Sequence, residues 1–128
     1  MRHDLLSDAL TIIRNAESVG KSGCVLPSSD LIKNVLEVMK ANNYIKSFKS
    51  IDDKKGGKIE VKLAGKINSC RAVKPRFSVK KDEYEKFERR FLPAKDFGIL
   101  IVSTPKGLMT QKQAIEKQTG GRLLGFVY

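Results

Sequence analysis

The chain has 128 residues, 41% of them apolar, which is enough for one domain or two small lobes with a buried core. Its 25 Lys and Arg against 14 Asp and Glu give a formal net charge of +11, a field that attracts polyanions such as nucleic acid or an anionic membrane. The longest apolar run, Ile99 to Val102, falls far short of the roughly 20 residues that span a bilayer. The first eight residues are interrupted by His3, Asp4, Ser7 and Asp8, unlike a signal peptide, so a cytoplasmic protein with a nucleic-acid partner and no membrane is expected.

Asp4 can cap a first helix in which Leu5, Leu6, Ala9, Ile12, Ile13 and Ala16 recur at helical spacing, with Gly20 beyond its end. Cys24 to Leu26 reads as a short strand. Pro27 and Ser28 introduce a second helix with the stripe Leu31, Ile32, Val35, Leu36 and Met39, ended by Asn42 and Asn43. Tyr44 to Ile51 and Lys58 to Leu63 form a hairpin, because Ile59, Val61 and Leu63 alternate with Lys58, Glu60 and Lys62. After a break at Gly65, a strand is expected from Arg71 to Val79, then an amphipathic helix using Tyr84, Phe87 and Phe91, stopped by Pro93. Ile99 to Val102 is an apolar strand and Ser103 to Gly107 a turn. Thr110 with Gln113 opens a short helix as a capping box, and Gly120 and Gly121 close it. Leu123 to Tyr128 favours a last strand with Leu124, Phe126 and Tyr128 on one face.

Between Lys54 and Lys81 ten basic residues (Lys54, Lys55, Lys58, Lys62, Lys66, Arg71, Lys74, Arg76, Lys80, Lys81) face one acid, Glu60. A merely solvated surface interleaves both signs, so phosphate contact explains this stretch better. Catalytic signals are weak. Gly56, Gly57 and Lys58 resemble the end of a phosphate loop, but Ile59 replaces the hydroxyl residue and strands follow. His3 has no partner at a suggestive spacing, and Asp52 with Asp53 occupies a turn. Cys24 and Cys70 form no Cys-x-x-Cys pair, so no disulfide framework, zinc site or cofactor is expected. Two glycine-bearing turns remain. Ser103, Thr104, Lys106 and Gly107 offer hydroxyls, a cation and a flexible backbone behind a buried strand, suited to RNA or to a plain turn. Thr119, Gly120, Gly121 and Arg122 either let backbone approach RNA or stop a helix.

Longer stretches carry a resemblance. They are Asp8 to Ala16; Pro27 with Ser29; Asn43, Tyr44 and Ile45 through Phe48; Lys74, Pro75, Arg76, Phe77; Leu92, Pro93, Ala94 with Asp96, Phe97, Gly98; Ser103, Thr104, Gly107, Met109; and Thr119 to Phe126. Together they cover nearly the whole chain, which resembles the small-subunit ribosomal protein S-eight family. The stretch with Tyr84, Phe87 and Phe91 looks like its archaeal and eukaryotic branch, most like an archaeal member.

The resemblance implies a non-enzymatic α+β protein of two lobes, in agreement with the element order: 1–66 as an N-terminal α/β lobe (α-β-α-β-β) and 67–128 as a mostly β lobe with one or two short helices. It implies a structural constituent of the small ribosomal subunit that binds the central domain of small-subunit ribosomal RNA, helps assemble it and touches neighbouring ribosomal proteins. Some members also bind messenger RNA in autoregulation. The expected RNA-binding residues are Ser103, Thr104, Lys106, Gly107, Gly120, Gly121, Arg122, Arg14, Lys54, Lys55, Lys58, Arg71, Lys74 and Arg76. Two positions depart from the family pattern: Pro105 replaces a usual Ser or Thr, and Asp30 a usual Lys.

Overall fold

A computed structural model of the protein describes residues 5–51, 57–94 and 97–128. It divides into two units, Met1–Cys70 and Arg71–Tyr128. Asp4, the expected cap, and Asp52, Asp53, Lys54, Lys55, Gly56 and His3 lie outside the described residues.

In the first unit the helical spacing produces α1 (Leu5–Ser18), which buries Leu6, Ala9, Leu10, Ile13 and Ala16. Leu5 was expected in this stripe but is 43% exposed, and Leu10, one turn beyond the buried Leu6, belongs to the stripe instead. Strand β1 (Gly23–Pro27) leads to α2 (Asp30–Ala41). Its cap is Ser29, whose Oγ accepts the Ile32 N–H at 3.1 Å. Asp30 stands in the first turn, where a carboxylate suits the positive end of the helix. Residues with positive φ, Gly20 and Asn43, end α1 and α2. In each, the N–H of the next residue reaches back to the last turn, Lys21 to Ala16 and Tyr44 to Met39, so that otherwise orphaned carbonyls are satisfied.

Strands β2 (Ile45–Ile51) and β3 (Lys58–Leu63) form the expected hairpin, and β1 joins the far side of β3 to give the antiparallel order β1-β3-β2. Ile59, Val61 and Leu63 are buried while Lys58 and Lys62 are exposed on the other face. Lys58 opens a strand rather than the helix that must follow a phosphate loop. Both cysteines are free. The Cys70 Sγ–H donates to Leu10 O at 3.3 Å. Burial is the main cause that pushes this thiol up to about 12, with the Arg14 guanidinium opposing it. Burial also raises Cys24, helped by the charge of Glu17.

The second unit is built on an antiparallel sheet of order β4-β8-β6-β7, with β5 also pairing β8. Its elements are β4 (Cys70–Ala72), β5 (Ser78–Val79), α3 (Tyr84–Phe91), β6 (Ile99–Thr104), β7 (Gly107–Thr110), α4 (Gln111–Glu116) and β8 (Gly121–Val127). The single strand expected from Arg71 to Val79 is therefore two. Pro75 has no N–H for a ladder, and residues 74–76 leave the sheet as a loop. The capping box forms as expected, with the Thr110 side chain accepting from Gln113 N and the Gln113 side chain accepting from Thr110 N.

Gly120 and Gly121 do not stop α4. Gln118, at φ 51, does so, with its N–H on Ile115 O and the Thr119 N–H on Ala114 O. Leu123 and Leu124 are both buried, because a register shift opposite Ile101 and Val102 makes Leu124 an extra residue in β8 and breaks the strict alternation of faces. The core of this unit gathers Val73, Val79, Tyr84, Phe87, Leu100, Val102, Met109 and Leu123, with Phe77, Phe91, Phe126 and Tyr128 packed at its border. Among the described residues, two short helices and a sheet in this unit, and two helices on a three-stranded sheet in the other, make the chain α+β.

Candidate nucleic-acid interface

The apolar run Ile99–Val102 makes β6 a buried central strand of its sheet, and all four residues are at most 7% exposed. The strand continues through Ser103 and Thr104, so the turn expected from Ser103 to Gly107 narrows to Pro105 and Lys106 between β6 and β7. Proline fixes φ near −65°, which excludes the usual two-residue hairpin turns with positive φ. Gly107, at φ +113, supplies the positive-φ residue instead. The Thr104 hydroxyl is used inside this turn: it donates to Gly107 O at 2.8 Å and accepts the Lys106 N–H at 3.1 Å. The Lys106 ammonium donates to Lys117 O at 3.4 Å.

Alternation along β6 sends Val102 into the core and Ser103 to the opposite face. Ser103 stands in register with Leu108 of β7 and Arg122 of β8, and Arg122 in turn with Ser78 of β5. Residues directly paired across antiparallel strands share a face, so Ser78, Arg122, Ser103 and Leu108 form one row across four strands. Ser78 and Arg122 are exposed, and Ser103 and Leu108 are half-buried. Among the described residues no hydrogen bond engages the Ser103 hydroxyl, in contrast to Thr104.

The glycine pair is explained within this sheet. A Cβ on Gly121 would lie 2.3 Å from Ser103 O and 2.9 Å from a Val102 methyl, and one on Gly120 would lie 2.5 Å from Val79 O. Both glycines thus allow β8 to approach β6 and β5 directly beneath the row.

The remaining expected contacts fall in three places. Arg71 is exposed on β4, and Lys74 and Arg76 are exposed in the loop that follows. Arg14, half-buried on α1, and Lys58, exposed on β3, belong to the first unit. Sequence reasoning missed Ser78 and Leu108, since only strand register sets them beside Ser103.

No helix among the described residues is long and apolar enough to cross a membrane. Nor do three or more described His, Cys, Asp or Glu residues gather where a metal ion would sit. The sequence profile of the family described as ribosomal protein S8 matches residues 4–128. The chain belongs to that family. A small ribosomal subunit protein uS8 of Methanococcoides burtonii is 53% identical over 126 residues, covering 98% of this chain and 97% of its own. The protein of the same name from Archaeoglobus fulgidus is 54% identical over 129 residues, covering the whole of both. The ribosomal protein S8 family is structural and non-enzymatic, and the similarity to archaeal members extends along nearly the full length of the chain.

Proposed function

We propose that the chain is a ribosome-bound, cytoplasmic protein that binds the central domain of small-subunit ribosomal RNA directly and helps that domain fold, beside neighbouring small-subunit proteins. The observation that carries this reading is the row Ser78, Arg122, Ser103 and Leu108 at the end of a buried sheet. Regular A-form RNA hides its base edges in a deep major groove, so one site is found through 2′-hydroxyls, phosphates and unstacked bases. A free hydroxyl at Ser103 and an exposed guanidinium at Arg122 match that chemistry. The strands beneath them are held by core packing, so little ordering entropy is lost on binding. Thr104 and Gly107 shape the turn beside the row, and the remaining cations, Lys106, Arg71, Lys74, Arg76, Lys58 and Arg14 with Lys54 and Lys55, supply contacts to phosphate that do not depend on sequence.

Filter-binding titrations on a central-domain transcript and on a scrambled RNA test this. Ser103→Ala should weaken the cognate complex by about 1 kcal/mol and leave the scrambled one alone. Arg122→Ala should cost about 1–3 kcal/mol. Equal losses on both RNAs would make the row a support of the fold. A messenger RNA copying the same shape would use the same row, and co-sedimentation with small subunits separates the two roles: ribosomal use leaves almost no free protein.

A further inference from the structure

Helix α3 ends in two arginines that differ in surroundings. Arg89 is bound to Glu85 at 2.6 Å, whereas Arg90 makes no ion pair or hydrogen bond among the described residues. Instead the exposed Arg90 guanidinium lies over two rings, 4.8 Å from the centroid of Phe77 and 5.2 Å from that of Phe91. Those rings belong to a continuous aromatic row at the edge of the core. Phe87 meets Phe77, Phe77 meets Phe91, Phe91 stacks on Phe126, and Phe126 stacks on Tyr128, at centroid distances of 5.6 to 6.5 Å.

Phe77 directly follows Arg76, so the ring that supports Arg90 also ends the loop carrying Lys74 and Arg76. Two nearby carboxylates are already engaged, Glu83 by the Lys80 N–H at 2.9 Å and Glu85 by Arg89.

We propose that Arg90, stacked on Phe77 and Phe91, binds an RNA phosphate and extends the contact surface of the Lys74–Arg76 loop onto α3. This rests on the RNA-binding reading above and adds a residue outside the basic stretch of the sequence. A guanidinium stacked on rings keeps its edge free for a phosphate. Its planar fork suits two phosphate oxygens at once. The rings hold the side chain before RNA arrives, which lowers the entropy lost on binding. A solvated cation with only a charge to offer would not need that support.

The test uses the full chain and a transcript of the complete small-subunit ribosomal RNA at about 0.15 M salt. Arg90→Ala should weaken binding roughly three- to tenfold and lower the slope of log K against log salt by about one or less. Arg90→Lys should keep the slope and recover part of the affinity. Arg89→Ala should change neither by more than about 1.5-fold, since exposed ion pairs on a helix contribute little. Thermal melts of each variant identify any loss caused by the fold, and removing the exposed cation–π stack of Arg90 predicts a fall of a few degrees at most. If Arg90→Ala binds as the wild type does, or no worse than Arg89→Ala, the proposal is wrong while RNA binding by the chain stands. A lysine that restores full affinity would overturn the role of the stacked fork. Wild-type protein with no salt-dependent affinity for this RNA would refute the underlying reading as well.

Discussion

Replacing Gly121 with alanine tests why β8 lies so close to β6. The added Cβ would stand 2.3 Å from Ser103 O, where ordinary contact begins near 3.4 Å, and 2.9 Å from the Val102 side chain. The first obstacle is backbone in a central strand, so no side-chain rotation relieves it. The strands must part by about 1 Å, which lengthens the adjacent N–H···O bonds beyond useful range. Losing two such bonds costs about 2 kcal/mol. Disturbing the packing of Val102 against Leu123 adds about 1–3 kcal/mol. A total of about 3–5 kcal/mol is a large part of the roughly 5–15 kcal/mol that holds a domain together. At about 4–8 °C per kcal/mol for a small domain, the melting temperature should fall by at least about 12 °C. Circular dichroism melts measure it, with Gly65→Ala as control. At Gly65 a Cβ meets nothing within 4 Å and the only penalty is the backbone at φ +71, about 1–2 kcal/mol. If Gly121→Ala melts no lower than Gly65→Ala, close strand approach is not what the glycine provides.

Two more outcomes follow from the same geometry. Thr104→Val removes the hydroxyl that bridges Lys106 N and Gly107 O, so it should lower stability in urea titrations by about 1–2 kcal/mol, whereas Ser103→Ala should change it by less than about 0.5 kcal/mol. Cys70 titrates at 9.0 when unfolded and is pushed up to about 12 by burial. Its folded form therefore keeps a proton that the unfolded chain releases. That contribution is complete below pH 9 and is lost as the pH rises toward 12, by up to about 4 kcal/mol. The stability gap between wild type and Cys70→Ala should close over that range, and a gap independent of pH would contradict it.

Features set by neighbouring residues were legible in the sequence. Apolar spacing gave both long helices, Thr110 and Gln113 gave the capping box, and alternation from Lys58 to Leu63 gave β3 with its bounds. Features set by distant residues were not. Strand β7 has four residues whose ends double as a turn glycine and a helix cap, so it has no periodicity of its own. Gly120 and Gly121 follow a helix and read as its stop, but their reason lies in the carbonyls of Val79 and Ser103. Ser103 and Arg122 were each picked out from local composition. Their places in one row, with Ser78 and Leu108, follow only from strand register.

Hydroxyl-radical footprinting of the full chain on naked small-subunit ribosomal RNA tests the central claim most directly. One compact protected region is expected, at an irregular helix of the central domain, and it should weaken with Ser103→Ala and Arg122→Ala. Protection scattered along regular duplexes, unchanged by either substitution, would contradict it.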